Sequence, residues 1–271
     1  MRSLTTLGFA ALTLALVSCS DEPTSPDAPS YGTYVHTTNG AYVINSNVNV
    51  AIDATTKQTT EQPAPDDSTV VFSSQTGEGI DETNPSKKLP LYKTESYVYV
   101  NGQPTDTVTV TQLGGKITQS FRLRYSIQQI PLDLGRKDMV ICDLGNSTWT
   151  ALKDTVLPFD LPGMAQYKAS GTLNFTGKSL GEETVTLNSQ TLKTKKVQID
   201  MNATLYLAAG PTSIPLPIRL ERTYWFAEKV GVVKMEQKAA VIDLGILGGF
   251  LGMPMQAVPG MIQTAKRWSA R

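Results

Sequence analysis

The chain has 271 residues, and its 24 Lys plus Arg balance 24 Asp plus Glu. Such neutrality leaves no basic excess to neutralise phosphates and excludes nucleic acid as a main partner. One His and two Cys cannot build a zinc or iron–sulfur centre or a disulfide framework, so no metal or other cofactor is expected, while 40% hydrophobic and 18% charged residues suit a packed core rather than a disordered or coiled-coil chain.

The first element is an export signal. Arg2 supplies a positive start, and Leu4 to Val17 form an apolar run too short to span a bilayer. The run ends in Leu16-Val17-Ser18-Cys19, which resembles the bacterial lipobox, where a signal peptidase cuts before the cysteine and its sulfur and new amino group are acylated. Residues 1–18 are thus expected to be removed, and Cys19 to carry the lipid, palmitate included, that ties the protein to the membrane. The stretch 19–30 follows as a tether: it holds three prolines, three acidic residues and no large apolar side chain, so it cannot fold alone. Extended at about 3.1 Å per residue, it reaches on the order of 35 Å. Ser20 rather than Asp after the cysteine matches the sorting pattern of lipoproteins sent to the outer membrane, on its periplasmic face or at the cell surface.

Residues 31–271 read as a single antiparallel β domain, because the dominant signal is alternation with period two punctuated by Gly, Asn, Asp and Pro. Val48, Val50 and Ile52 alternate with Asn47, Asn49 and Ala51. Tyr97 to Val100 runs into Asn101-Gly102, a tight hairpin dipeptide, then Val108 and Val110 alternate with threonines, and Leu113-Gly114-Gly115 turns the chain towards Ile117, Phe121, Leu123 and Tyr125. Strands are expected again over 167–175, 184–187, 192–207, 218–226 and 230–235, with little helix, since no apolar recurrence at three and four residues persists over three turns. Thr59 to Ser68 and Gly77 to Pro90, rich in Pro, Gly and charge, read as loops, and Pro131 to Lys137 as a turn or short crossover. Cys142 sits in Met139-Val140-Ile141-Cys142 and reads as a buried small hydrophobe, inert to thiol reagents. A strongly curved antiparallel meander, a half-barrel or open barrel, competes here with two packed sheets.

Gly181-Glu182-Glu183-Thr184-Val185-Thr186-Leu187, then Thr191-Leu192-Lys193-Thr194, Thr223-Tyr224-Trp225-Phe226-Ala227 and Val230-Gly231-Val232-Val233-Lys234-Met235-Glu236 resemble the TapB-like envelope proteins, which are similar in turn to the half-barrel Lol lipoprotein carriers. The likeness spans about residues 167 to 270, with a last strand on Ile262 to Ala270. Glu228-Lys229 departs from its Pro-Gly type of turn, an apolar insertion follows Val241, and residues 31–131 match no motif. The resemblance implies a curved sheet with an apolar-binding concave face and brings no catalytic residue.

Serine chemistry would need His36 as its base, yet no serine occupies a Gly-x-Ser-x-Gly elbow, and His36 reads as an exposed or satisfied strand residue. No carboxylate pair is marked by context, and the acidic run of a calcium loop is absent. The least ordinary segment is Leu244 to Ile262, uncharged, with Met253, Met255 and Met261 among glycines and prolines. Its apolar run is too short to span a membrane. It reads either as a plug of the core or as a lip over an apolar groove, because flexible Met-bearing surface suits adaptable binding. Leu244, Ile246, Leu247, Phe250, Leu251, Met253, Met255 and Trp225 are the candidate contacts for a ligand or partner. The expected function is that of a non-enzymatic, membrane-anchored envelope lipoprotein holding a hydrophobic ligand, a lipid or acyl chain, or an envelope protein on its concave face. The alternative is a structural or assembly lipoprotein that recognises a protein or polysaccharide and has no ligand cavity.

Overall fold

The structure is a computed structural model and describes residues 31–269 apart from 128–129, 162–163, 210–211, 246–247 and 249–253. Every regular element among the described residues is a strand: β1 (Tyr42–Ile52), β2 (Thr59–Asp81), β3 (Asn84–Val100), β4 (Gln103–Leu113), β5 (Lys116–Ile127), β6 (Ile130–Asp143), β7 (Thr148–Leu161), β8 (Met164–Leu187), β9 (Gln190–Ala209), β10 (Thr212–Ala227), β11 (Gly231–Gln237), β12 (Ala240–Asp243), β13 (Met255–Val258) and β14 (Gly260–Trp268). Twelve of them form one sheet in the order β6-β5-β4-β3-β2-β1-β14-β11-β10-β9-β8-β7, while β12 and β13 pair as a separate hairpin. The expected curved all-β meander is thus the observed fold.

Chain connectivity dictates the curvature. The two terminal strands of the sheet, β6 and β7, are consecutive in sequence and joined by residues 144–147 alone. A twisted sheet whose ends are tied by so short a turn must curl until they meet, and the sheet is nearly closed into a barrel-like curve. No ladder is found between β6 and β7 among the described residues. Side chains bridge the seam instead: Trp149 Nε1 donates to the Val140 carbonyl at 2.8 Å, and Lys137 pairs with Asp154. Trp149 lies opposite Gly177 of β8, where a Cβ would come 2.0 Å from its ring. Glycine there lets the indole lie flat against the sheet.

Hairpin chemistry follows the residues. Asn101 and Gly102 both have positive φ, 52° and 73°, the conformation of the primed turns whose twist matches the flanking strands. The second half is more continuous than the alternation suggested, since 167–175 and 184–187 belong to one strand, β8, bent by an irregularity between Ser179 and Gly181.

Two expected loops are strands. Thr59 to Ser68 opens β2, and Gly77 to Pro90 is a hairpin of β2 and β3. Up to Asp66 the first stretch pairs only with β1, because β3 joins β2 from Asp67 onward, so Pro63 and Pro65 leave no β3 neighbour without a donor. The second stretch runs past the end of β4, which pairs with β3 only from Leu91. It is a two-stranded projection wetted on both faces, so its polar composition does not conflict with strand. Pro131 to Lys137 likewise lies inside β6, where the pairing with β5 shifts between Arg122 and Arg124.

The inward faces form the core. Ile117, Met139, Ile141, Leu173, Ile199 and Phe226, all at most 1% exposed, meet in the main cluster. A second cluster continues along β8, β9 and β10 through Ala169, Leu205, Leu207, Leu216 and Ile218, and is covered by Ile242, Leu244 and Val258 of the β12–β13 region. Pro215 and Pro217 of β10 stand before its pairing with β11 begins, at Arg222.

Candidate functional site

A strap precedes the first strand and crosses the sheet interior. Tyr31 to Thr38 has no ladder of its own, and its polar backbone is satisfied from several strands. Gln112, 1% exposed, accepts from the Tyr34 amide at 2.8 Å and donates to the Gly32 and Gly114 carbonyls at 2.8 and 3.0 Å. On the far side the Lys229 amide donates to the Thr33 carbonyl at 2.7 Å, and Ser74 Oγ donates to the Thr37 carbonyl at 3.1 Å. The strap thereby ties the β4–β5 turn to the β10–β11 turn, where Lys229 and Gly231 take positive φ. The Glu228-Lys229 sequence makes this turn, with Lys229 at φ 63°.

Behind the strap lies a cavity of about 270 Å³, close to the lower bound, roughly 300 Å³, of ordinary ligand sites. Its walls are uneven. From β2, β3 and β4 come short side chains, Val71, Thr94, Ser96 and Val110 among them; from β10 and β11 come Tyr224, Phe226 and Met235. Volume is left open because the first wall carries β-branched and hydroxyl side chains where the second carries aromatic and long ones.

Polar groups interrupt this lining on both sides. Asp67 of β2 accepts from Asn45 Nδ2 at 2.8 Å, Asn47 Nδ2 at 2.9 Å and Gln263 Nε2 at 2.7 Å, so three amides from β1 and β14 compensate its charge. Arg222 of β10 donates to Tyr224 Oη at 3.3 Å and to Gln237 Oε1 at 2.5 Å, while its Nε is buried without a partner. His36, carried into the cavity lining by the strap, has both ring nitrogens buried and unpartnered. It is therefore neither exposed nor satisfied, contrary to expectation. Burial pushes its pKa below the usual imidazole value and keeps the ring neutral near pH 7.

The sequence-nominated contacts lie elsewhere. Leu244 is 2% exposed in the second cluster, against the inward face of β9 and β10, while Met255 opens β13 and is 38% exposed. Where it is described, the segment plugs one end of the core. Ile246, Leu247, Phe250, Leu251 and Met253 lie outside the described residues, as does Cys19. Trp225 is 3% exposed, but strand alternation turns it away from cavity-lining Tyr224 and Phe226. Lys196 and Lys234 stand 4.9 and 4.4 Å over its ring, and Leu187 and Val230 pack in its cluster. Sequence reasoning missed Arg222, Asp67 and Gln112; the legible signal was a charged or amide side chain at an inward position of an otherwise apolar alternation.

Cys142 is fully buried. Desolvation first, and the neighbouring Asp143 charge second, push its thiol up to about 12, as expected of an inert core cysteine.

No family model matches the chain, and no curated protein matches it at a significant level. Among solved structures, a protein of Parabacteroides distasonis provisionally described as a lipoprotein aligns with a TM-score of 0.45 at 8% identity, over 88% of this chain and 99% of its own. A protein of Bacteroides fragilis, provisionally described as exported and as having a YmcC-like fold, aligns with a TM-score of 0.44 at 12% identity, over 88% of this chain and 100% of its own. Neither likeness bears on activity.

Proposed function

We propose that this chain is a lipid-anchored protein of the bacterial cell envelope, held at the outer membrane through acylated Cys19, that performs no chemistry and holds a hydrophobic ligand, a lipid or acyl chain, inside its curved sheet. The observation that carries the ligand part is the cavity of about 270 Å³ between the Val-rich wall and the aromatic wall; a scaffold would gain stability by filling it. The anchor rests on the lipobox. The non-enzymatic part is supported by the state of two side chains: Cys142 is buried with a raised pKa, and His36 makes no hydrogen bond to a hydroxyl or carboxylate among the described residues. The kinship with TapB-like proteins and the Lol carriers belongs to this same reading, in which an apolar chain occupies the concave side.

Titration of the protein with a fluorescent acyl probe tests the ligand reading. Saturable binding competed by unlabelled lipid is expected, and an emission unchanged by protein would sink it. One feature favours a protein partner in addition: Phe72 and Tyr97, 41% and 39% exposed, stack at 4.3 Å between centroids on the outward face of β2 and β3. Exposed stacked aromatics are what interface anchors use, and replacing both with serine is expected to abolish capture of an envelope partner by crosslinking while leaving the probe bound.

A further inference from the structure

Arg222 occupies an inward position of β10, paired with Ile199 of β9 on one side and Gln237 of β11 on the other. It lines the cavity. Among the described residues both of its acceptors, Tyr224 Oη and Gln237 Oε1, are neutral, and its Nε, buried, has none. Asp67, the acid that β2 brings to the cavity lining, gives its oxygens to Asn45, Asn47 and Gln263. Glu221, next to Arg222 in the chain, points to the other face and pairs with Lys238.

Arg222 is half-buried, and a cation held partly out of water without a counter-charge is costly, so that replacing it with an apolar side chain is often stabilising. A guanidinium also presents its donors as a planar fork that fits a carboxylate with two parallel hydrogen bonds. The asymmetry between the two cavity charges therefore selects the sign of the missing group: the anion is compensated by three amide dipoles, and the cation is not. From Phe226 near the strap to Arg222 the cavity wall of β10 spans four residue steps, on the order of 13 Å at about 3.3 Å per residue. One face of that length is bordered by Val71, Val98, Val108 and Val110.

We infer that the cavity takes an amphiphile of the fatty-acid class, with its chain along the valine wall and its carboxylate on Arg222. This rests on the hydrophobic-ligand reading above and adds to it the anionic head. Arg222 is then a ligand-binding residue, and Tyr224 and Gln237 position its fork, leaving the second hydrogen of each Nη to the acid. His36, held neutral by burial, adds no second cation, so a single carboxylate balances the guanidinium.

The test is a competition on the full-length protein, with decanoic acid and decanol each displacing a neutral fluorescent acyl probe. The acid is expected to displace the probe at a concentration about tenfold or more below that of the alcohol, the gain of a charge-assisted pair. Arg222→Met is expected to level the two while leaving decanol unchanged, and Arg222→Lys to restore part of the preference. Equal displacement by acid and alcohol in the wild type, or a preference that survives Arg222→Met, overturns the inference while the hydrophobic-ligand reading stands. If the probe itself does not bind, that reading fails and this one with it. A ligand-free measurement is independent of binding: Arg222→Met is expected to keep or raise the thermal midpoint, whereas a clear fall would show that Arg222 is already compensated in the empty protein.

Discussion

The two arms of the sheet differ in what they put inside. β8, β9 and β10 send Leu173, Phe175, Ile199, Leu205, Leu216 and Phe226 inward, all at most 3% exposed, whereas β2, β3 and β4 send Thr69, Thr94, Ser96, Val98 and Val110 to the equivalent face. The first arm fills its share of the interior, and the second does not. Both arms satisfy the same backbone ladders, so the difference lies in side-chain volume alone, and it places the cavity against the N-terminal arm. Stability and binding capacity are thereby divided between two regions of one continuous sheet.

The division can be broken or sharpened by substitution. Leu173→Ala in the packed arm is expected to cost about 2–5 kcal/mol, and Val98→Ala in the loose arm about 1 kcal/mol or less, in denaturant unfolding; equal costs would erase the distinction. Gln112→Leu removes two hydrogen bonds to the strap and one to Gly114, and should cost about 2 kcal/mol. Hydrogen exchange should then quicken at the Tyr34 and Lys229 amides ahead of the rest. At the seam, Gly177→Ala drives a Cβ into the Trp149 ring and should cost about 1–3 kcal/mol, with Trp149 fluorescence shifting as its bond to Val140 breaks.

Ser96→Leu separates binding from stability most cleanly. It should change stability by less than about 1 kcal/mol, since the added volume has somewhere to go, yet it should weaken acyl-probe binding severely; unchanged binding would move the ligand out of this cavity. The smallest effect is electrostatic. Lys137 first, and the Thr155 amide second, hold the Asp154 carboxyl below its ordinary range. A depressed folded pKa means that this contribution is fully present above the ordinary carboxylate range and is lost as pH falls through the lower folded value. Acid should therefore loosen the β6–β7 seam, seen as faster exchange of its amides, with little change in global stability because the pair is solvent-accessible.

Much of the fold was legible in the chain. Alternation located most of the strands, and Asn101-Gly102 and Leu113-Gly114-Gly115 located hairpins, because both signals are local and each residue's side is set by the pleat. What escaped depended on neighbours. Pro63 and Pro65 read as loop residues until β3 is seen to join β2 only at Asp67. The site escaped for the same reason. Trp225 and the methionine segment stood out as large apolar groups, but strand parity turns Trp225 away from the cavity, and Leu244 serves the core. Arg222 and Asp67 looked like ordinary strand charges. Their meaning comes from partners on other strands, 196 residues away in the case of Gln263 and Asp67, and no local pattern carries such a pairing.

The central claim, that the curved sheet holds an apolar ligand against its loose arm, is tested most directly by native mass spectrometry of the protein carrying Cys19→Ser, which removes the anchor lipid so that any lipid detected belongs to the body. The account predicts a bound amphiphile at one per chain, lost in Ser96→Leu. A bare protein mass, together with no uptake of added acyl chains, would contradict it.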